Sequence, residues 1–216
     1  MDKNFAVFDM DGTLVDSMVY WKHLAEEFLQ RKGIRDISPE VLEQIKPLTM
    51  MEAARLLLGK YPLNGTAESI VAELNAMMDR HYRRDIPLKS GVREYLKGLH
   101  RKGVTMCVAS ATAEDLMDHC LTRLGVEQYF SFLLSCETVG AGKNYPNVYW
   151  EAAERLGEQP KDIAVFEDAL YAVNTAKQAG FYTVAVRDDS NQPYWESLTA
   201  LADETILDWQ TAAQML

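Results

Sequence analysis

Phe5-Ala6-Val7-Phe8 is a short, wholly apolar run that stops abruptly at Asp9-Met10-Asp11-Gly12. Consecutive apolar residues without alternation suit a strand covered on both faces, as in a parallel sheet flanked by helices, and Asp9 falls where that strand should end. Side chains at i and i+2 of a strand share a side, so Asp9 and Asp11 would project two carboxylates into one small space. Their repulsion needs compensation, either from a bound divalent cation or from a split of pKa values that leaves one carboxyl protonated. Gly12 permits a sharp turn whose amides can face an anion, and the Thr13 hydroxyl can hydrogen-bond the carboxylates or a substrate. An Asp-Gly pair alone is more often than not just a polar turn. This one belongs to a longer pattern: apolar strand, Asp-Met-Asp-Gly-Thr-Leu-Val-Asp-Ser, then an amphipathic helix.

The periodicity changes twice along the chain. Trp21, Leu24, Ala25, Phe28 and Leu29 fall on one helical face that stops at Gly33. Ser38-Pro39 reads as an N-cap followed by proline at the first helical position, and Thr49 with Glu52 has the form of a capping box. A further helix from Thr66 carries Ile70, Val71, Leu74, Met77, Met78 and Tyr82 on one side, so residues 16–87 read as helical throughout. From there strands alternate with helices. Val104 to Ala109 runs into Ser110, with Thr112 capping the next helix; Phe132 to Ser135 is followed by a glycine-containing loop to Lys143. Pro146 opens a helix, Ile163 to Phe166 stops at Glu167-Asp168, a helix follows from Ala169, and Tyr182 to Val186 is the last clear strand. The tail suggests a helix near Pro193 to Leu201 and an extended piece around Ile206. Such alternation predicts βα units on a parallel sheet: an α/β core from residues 1–15 and 88–216, with an inserted helical domain at 16–87.

In open α/β sheets ligands bind at the carboxyl ends of the strands. Asp9 and Asp11, Ser110, and Glu167 with Asp168 should meet there, joined by Lys143 from the loop after a fourth strand. Taken singly, Ser110 could be a cap, Lys143 a solvated charge and Glu167-Asp168 a helix N-terminus. Together, several carboxylates, a lysine and a hydroxyl describe a Mg2+ site facing a phosphate site, because Mg2+ takes hard oxygen ligands and keeps waters for substrate oxygens.

Composition narrows the partners. The 216 residues allow a substantial core, and the formal net charge of -10 argues against a nucleic-acid surface. An acidic protein that handles an anion must focus positive charge locally, through individual lysines or a metal. No apolar run approaches the roughly 20 residues that span a bilayer, and Met1-Asp2-Lys3-Asn4 leads directly into the first strand, so a cytoplasmic protein without membrane contact is expected. Cys107, Cys120 and Cys136 are odd in number and lack metal-ligand spacing, which points to reduced core thiols.

The order and spacing of these pieces resemble the four motifs of the haloacid dehalogenase-like (HAD) hydrolase superfamily: the Asp9 stretch, Ser110 in Val-Ala-Ser-Ala-Thr, Lys143 in Gly-Lys-Asn-Tyr-Pro, and Val165-Phe166-Glu167-Asp168-Ala169. The resemblance implies a Rossmann-like core with a small all-helical cap, of the β-phosphoglucomutase-like C1-capped branch. It also implies roles. Asp9 would attack phosphorus, and Asp11 would protonate the leaving oxygen and then activate water. Ser110 and Lys143 would hold the phosphoryl group, with Gly12, Thr13 and Ala111 lining the same site. Asp9, the Asp11 carbonyl and Asp168 would bind Mg2+, with Glu167 beside or partly in that shell. The metal and Lys143 are expected to keep Asp9 ionised while the neighbours of Asp11 raise its pKa.

The chain departs from the family pattern at Asn144, Asn147, Ala169 and Ala172, none of which removes a catalytic group. Dehalogenases lack the second aspartate, and phosphonate hydrolases use another residue there, so the reading is a phosphatase of a small phosphorylated metabolite, a monomer or weak homodimer. A phosphoglucomutase is the enzyme rival and a phosphate-sensing binding protein the other. Relatives of the mutase type carry an arginine where Met50 stands and a histidine where Trp21 stands, so Trp21, Lys46 and Met50 are the cap's candidates for specificity.

Overall fold

The computed structural model describes residues 2–45, 48 and 50–216. In chain order the elements are β1 (Phe5–Phe8), α1 (Met18–Arg31), α2 (Pro39–Ile45), α3 (Met50–Lys60), α4 (Ala67–Arg84), α5 (Val92–Arg101), β2 (Thr105–Ser110), α6 (Glu114–Arg123), β3 (Phe130–Ser135), α7 (Cys136–Val139), α8 (Asn147–Leu156), β4 (Ile163–Glu167), α9 (Leu170–Gln178), β5 (Tyr182–Val186), α10 (Trp195–Leu201), β6 (Glu204–Ile206) and α11 (Trp209–Gln214). The strands form one parallel sheet in the order β3-β2-β1-β4-β5-β6. β1 is central. The strand order runs outward from it in opposite directions, and it is at the carboxyl ends of the strands flanking such a switch that open α/β sheets bind ligands.

The chain divides into two compact units, residues 1–17 with 86–216, and residues 18–85. Asp16, Ser17, Ile86 and Pro87 lie with the α/β unit. The reason is local: the Asp16 amide donates to the Pro87 carbonyl at 3.0 Å, and Val15 forms an antiparallel bridge with Leu88. The helical unit contains α1 to α4. α4 is fixed at its start by a capping box of Thr66 and Ser69 and buries Ile70, Leu74, Met77, Met78 and Tyr82 on one face. The capping box read at Thr49 lies outside the described residues.

In the α/β unit, Val7, Cys107, Val165 and Tyr149 belong to one buried cluster. On the alternate side chains of β1 and β4, Phe8 and Phe166 are register partners whose rings stack 4.2 Å apart, and Trp209 joins them. Both faces of the central strands are therefore covered, as an unbroken apolar run requires. Two helices fall outside the sequence reading, the short α7 and the terminal α11, which Asp208 caps through its side chain. Among the described residues no helix is long and apolar enough to cross a membrane. The three cysteines are free and buried, and burial pushes their thiols up, so none is poised as a thiolate.

Candidate active site

β1 and β4 run side by side with Phe8 opposite Phe166, so the next residues, Asp9 just past the end of β1 and Glu167 at the end of β4, stand together at the carboxyl edge of the sheet. Asp9 stays tied to β4 through its amide, which donates to the Phe166 carbonyl at 2.9 Å. Asp168 follows at once. Asp9, Glu167 and Asp168 are all buried, and each offers a carboxylate oxygen within 4.8 Å of the others. Lys143 is also buried; its ammonium pairs with Asp9 and lies 2.5 Å from Glu167 Oε1, which also accepts from the Tyr149 hydroxyl at 2.9 Å.

Three buried carboxylates thus face one buried ammonium. Burial pushes Asp9 up to about 8, since Lys143 offsets only part of the desolvation and Glu167 and Asp11 add repulsion. Among the described residues Lys143 alone does not hold Asp9 low; the expectation that Asp9 is kept ionised calls on a bound metal as well. Asp168 is raised well above its ordinary value by burial and by Asp9, Glu167 and Asp188. Burial alone would lower Lys143, but Asp9 and Glu167 outweigh it and hold the ammonium well above its usual range. Asp9 Oδ2 is buried without a hydrogen-bond partner, as is Thr13 Oγ1. A surplus of buried oxygen anions with one acceptor unused fits a hard divalent cation, and the residues that fit are Asp9, Asp168 and the adjacent Glu167.

Asp11 is held differently. The chain turns through Gly12, at φ +80°, and closes a small loop in which the Gly12 amide donates to the Val15 carbonyl at 3.1 Å. The C-terminal helix buttresses this loop: Trp209 Nε1 donates to the Thr13 carbonyl at 3.0 Å. The Asp11 carboxylate accepts from Ser17 Oγ at 2.7 Å, from Thr112 Oγ1 at 2.6 Å and from Ser110 Oγ at 3.3 Å. Ser110 in turn accepts from the Thr112 amide at 3.1 Å. Thr112 is therefore not the cap of α6. That position is Ala113, whose methyl can make no capping bond, while the Thr112 hydroxyl is committed to Asp11. Ala111 is exposed at the bend after β2.

Asp9, Asp11, Ser110, Lys143, Glu167 and Asp168 are thus brought to one edge of the sheet, with Gly12 and Thr13 in the turn beside them. Trp21 and Met50 belong to the helical unit: Trp21 is partly exposed with its indole N–H on the Tyr82 hydroxyl at 3.2 Å, and Met50 opens α3 half-buried. The neutral donor expected of Trp21 is therefore already engaged. Lys46 lies outside the described residues. Two residues of the site escape sequence reasoning, and a third, Ala169, stands out there only as a departure from the family pattern. Thr112 reads as a cap and Tyr149 as one more buried position on α8. Ala169, in place of a serine, leaves α9 without a side-chain cap at the strand end that bears Asp168.

Hexitol phosphatase B of Escherichia coli K12 is 26% identical over 182 residues, 84% of this chain and 82% of that protein. Fructose-1-phosphate phosphatase YqaB of the same organism is 29% identical over 185 residues, 84% of this chain and 95% of that one. Among solved structures, a Thermotoga maritima protein provisionally assigned as a β-phosphoglucomutase superposes with a TM-score of 0.85 at 23% identity, over 98% of this chain and 97% of the other. That likeness concerns the fold. The family model for haloacid dehalogenase-like hydrolases matches residues 6–186, from the first strand to the end of β5, and the chain belongs to that family.

Proposed function

We propose that this chain is a Mg2+-dependent phosphatase that hydrolyses a small phosphorylated metabolite, such as a sugar phosphate, through a phosphoaspartyl intermediate on Asp9. The observation that carries this reading is the contrast between the two aspartates of one motif. Asp9 is buried beside Lys143 with an oxygen unused, whereas half-buried Asp11 is surrounded by hydroxyls. Unlike environments suit unlike tasks. Asp9 attacks phosphorus and the bond to the leaving oxygen breaks, while Asp11 delivers a proton to that oxygen. Asp11 then takes a proton from water, whose oxygen attacks the same phosphorus and returns Asp9 as a carboxylate. Lys143 and Ser110 hold the phosphoryl oxygens. When bound by Asp9, Asp168 and the Asp11 carbonyl, with Glu167 alongside, Mg2+ supplies the positive charge that keeps Asp9 ionised and offsets charge on the transferring group.

The named activities of the two E. coli relatives support a phosphorylated polyol or sugar as substrate. We assign discrimination among substrates to the helical unit, as a cap, through Trp21, Met50 and Lys46. Methionine cannot pair with a second phosphate, and tryptophan presents a large apolar ring, which favours hydrolysis over a mutase that must rebind a bisphosphate. Steady release of phosphate from p-nitrophenyl phosphate and from a panel of hexose and hexitol phosphates, abolished by EDTA and restored by Mg2+, is the expected result. No turnover with any of them would leave a binding protein. Glucose 6-phosphate forming faster than free phosphate from β-glucose 1-phosphate with a trace of 1,6-bisphosphate would identify a mutase.

A further inference from the structure

The last shared rung of β4 and β5 pairs Glu167 with Ala185. One residue further on, the two chains leave each other, and the carbonyls of Asp168 and Val186 have no rung between them. Both accept instead from one side chain: Asn191 Nδ2 donates to the Asp168 carbonyl and to the Val186 carbonyl, each at 2.9 Å. The remaining face of that amide is also used, since Asn191 Oδ1 accepts from the Asp188 amide at 3.2 Å. Asn191 is 5% exposed, so no water replaces these bonds cheaply. Its own place is fixed by Asp188, whose carboxylate takes Lys89 Nζ at 2.5 Å and the Ser190 amide at 2.8 Å. The Lys89 amide donates to the Leu14 carbonyl at 3.0 Å, so the bracket is anchored on the turn that follows Asp11.

We propose that Asn191 is a positioning residue for the cation. By joining the Asp168 carbonyl to the end of β5 it fixes the peptide from which the Asp168 carboxylate projects toward Asp9 and Glu167. The inference rests on the reading above that these carboxylates hold a divalent ion. Without the clamp, Asp168 sits at a strand end followed by a helix whose first turn has no side-chain cap, and its direction is set only by local packing. Hydrogen bonds beside a metal ligand act on affinity through orientation, and their loss costs about 10- to 100-fold.

The test is binding of Mn2+ to substrate-free protein, followed by electron paramagnetic resonance, alongside metal-free melting temperature. Asn191→Ala is expected to weaken Mn2+ about tenfold or more. Asn191→Asp keeps the shape and adds negative charge but removes both N–H donors, so orientation predicts weaker binding where charge alone would tighten it. Ser190→Ala loosens the same loop without touching Asp168 and is expected to leave the affinity within about twofold. Should Asn191→Ala not fold, Asn191→Ser carries the same measurement. Wild-type affinity in the Asn191 variants, tighter binding by Asn191→Asp, or an equal loss in Ser190→Ala overturns the inference while leaving the function reading intact. Mn2+ bound by Asp168→Ala as tightly as by the wild type overturns the metal assignment itself, and the inference with it.

Discussion

In the helical unit, His81 is nearly buried with Glu27 Oε2 2.9 Å from one ring nitrogen and Asp85 Oδ2 2.8 Å from the other, and the Tyr20 ring lies 4.8 Å away. Arg31 takes the second Glu27 oxygen at 2.5 Å. In the α/β unit, Asp9, Glu167 and Asp168 are buried around Lys143, with Asp9 Oδ2 and Thr13 Oγ1 unused. The first arrangement pairs its buried polar atoms and needs nothing more from outside. The second holds a surplus of one sign, which stability alone does not explain, since an unpaired buried charge is costly. On the function proposed above, the difference separates a polar group that supports a fold from a cluster that takes a ligand.

The sharpest way to break this comparison is to neutralise the surplus. Asp9→Asn is expected to lower phosphatase turnover by about three orders of magnitude or more, because the amide is a poor nucleophile. The same change should raise the metal-free melting temperature, since it removes a buried carboxylate that Lys143 does not fully offset. Calorimetry in EDTA beside a phosphate-release assay measures both. A variant that loses activity and stability together would place Asp9 with the structural charges. Asp168→Ala should shift the Mg2+ concentration for half-activation further than Glu167→Ala, because Glu167 is also occupied by Lys143 and Tyr149. An equal shift in both variants contradicts that ranking.

A smaller effect follows from pH. Asp9 is raised from 3.8 to about 8 in the folded protein, and Asp168 is raised in the same direction. Across that window the folded chain retains a proton that the unfolded chain has released, so metal-free stability falls as pH rises from about 4 to about 8. The melting temperature in EDTA should therefore decline between pH 5 and 8. The decline should be shallower in Asp9→Asn, and shallower again in wild type with saturating Mg2+, which favours the ionised carboxylates. A metal-free melting temperature that rises across this range would show that Lys143 compensates the cluster after all.

The part of the site on strand ends was legible because buried parallel strands are written as unbroken apolar runs, so an acidic residue marks the edge of the sheet. Phe5–Phe8 before Asp9 and Ile163–Phe166 before Glu167 have this form. Groups that act by hydrogen bonds across the fold leave no such mark. Thr112 stands where a cap belongs, and only the position of Asp11 redirects its hydroxyl. Tyr149 lies on the buried face of α8, where an aromatic residue is ordinary. Asn191 falls in a 3-10 segment, Asp189–Tyr194, whose lack of apolar period makes it read as loop. α11 had a signal in Asp208 three residues before Thr211, but its shortness hides the period. The depth of burial at Asp9 was hidden for a related reason: sequence shows which charges approach but not how fully they are desolvated, and so not how little Lys143 offsets by itself.

The smallest expected effect lies in the helical unit, where His81→Leu removes both ring-nitrogen contacts at once. Glu27 and Asp85 are partly exposed, so water recovers much of what they lose, and Arg31 still holds Glu27. The cost should be about 1 kcal/mol, which lowers the melting temperature of a chain of this size by about 2–4 °C. Mn2+ affinity of the substrate-free protein should stay unchanged, because none of the carboxylates proposed for the ion belongs to residues 18–85. If His81 is instead part of the functional electrostatics, its replacement will shift Mn2+ affinity or the pH profile of turnover by more than the loss of stability explains. The two units would then no longer divide into one that pairs its buried polar atoms and one that keeps a surplus.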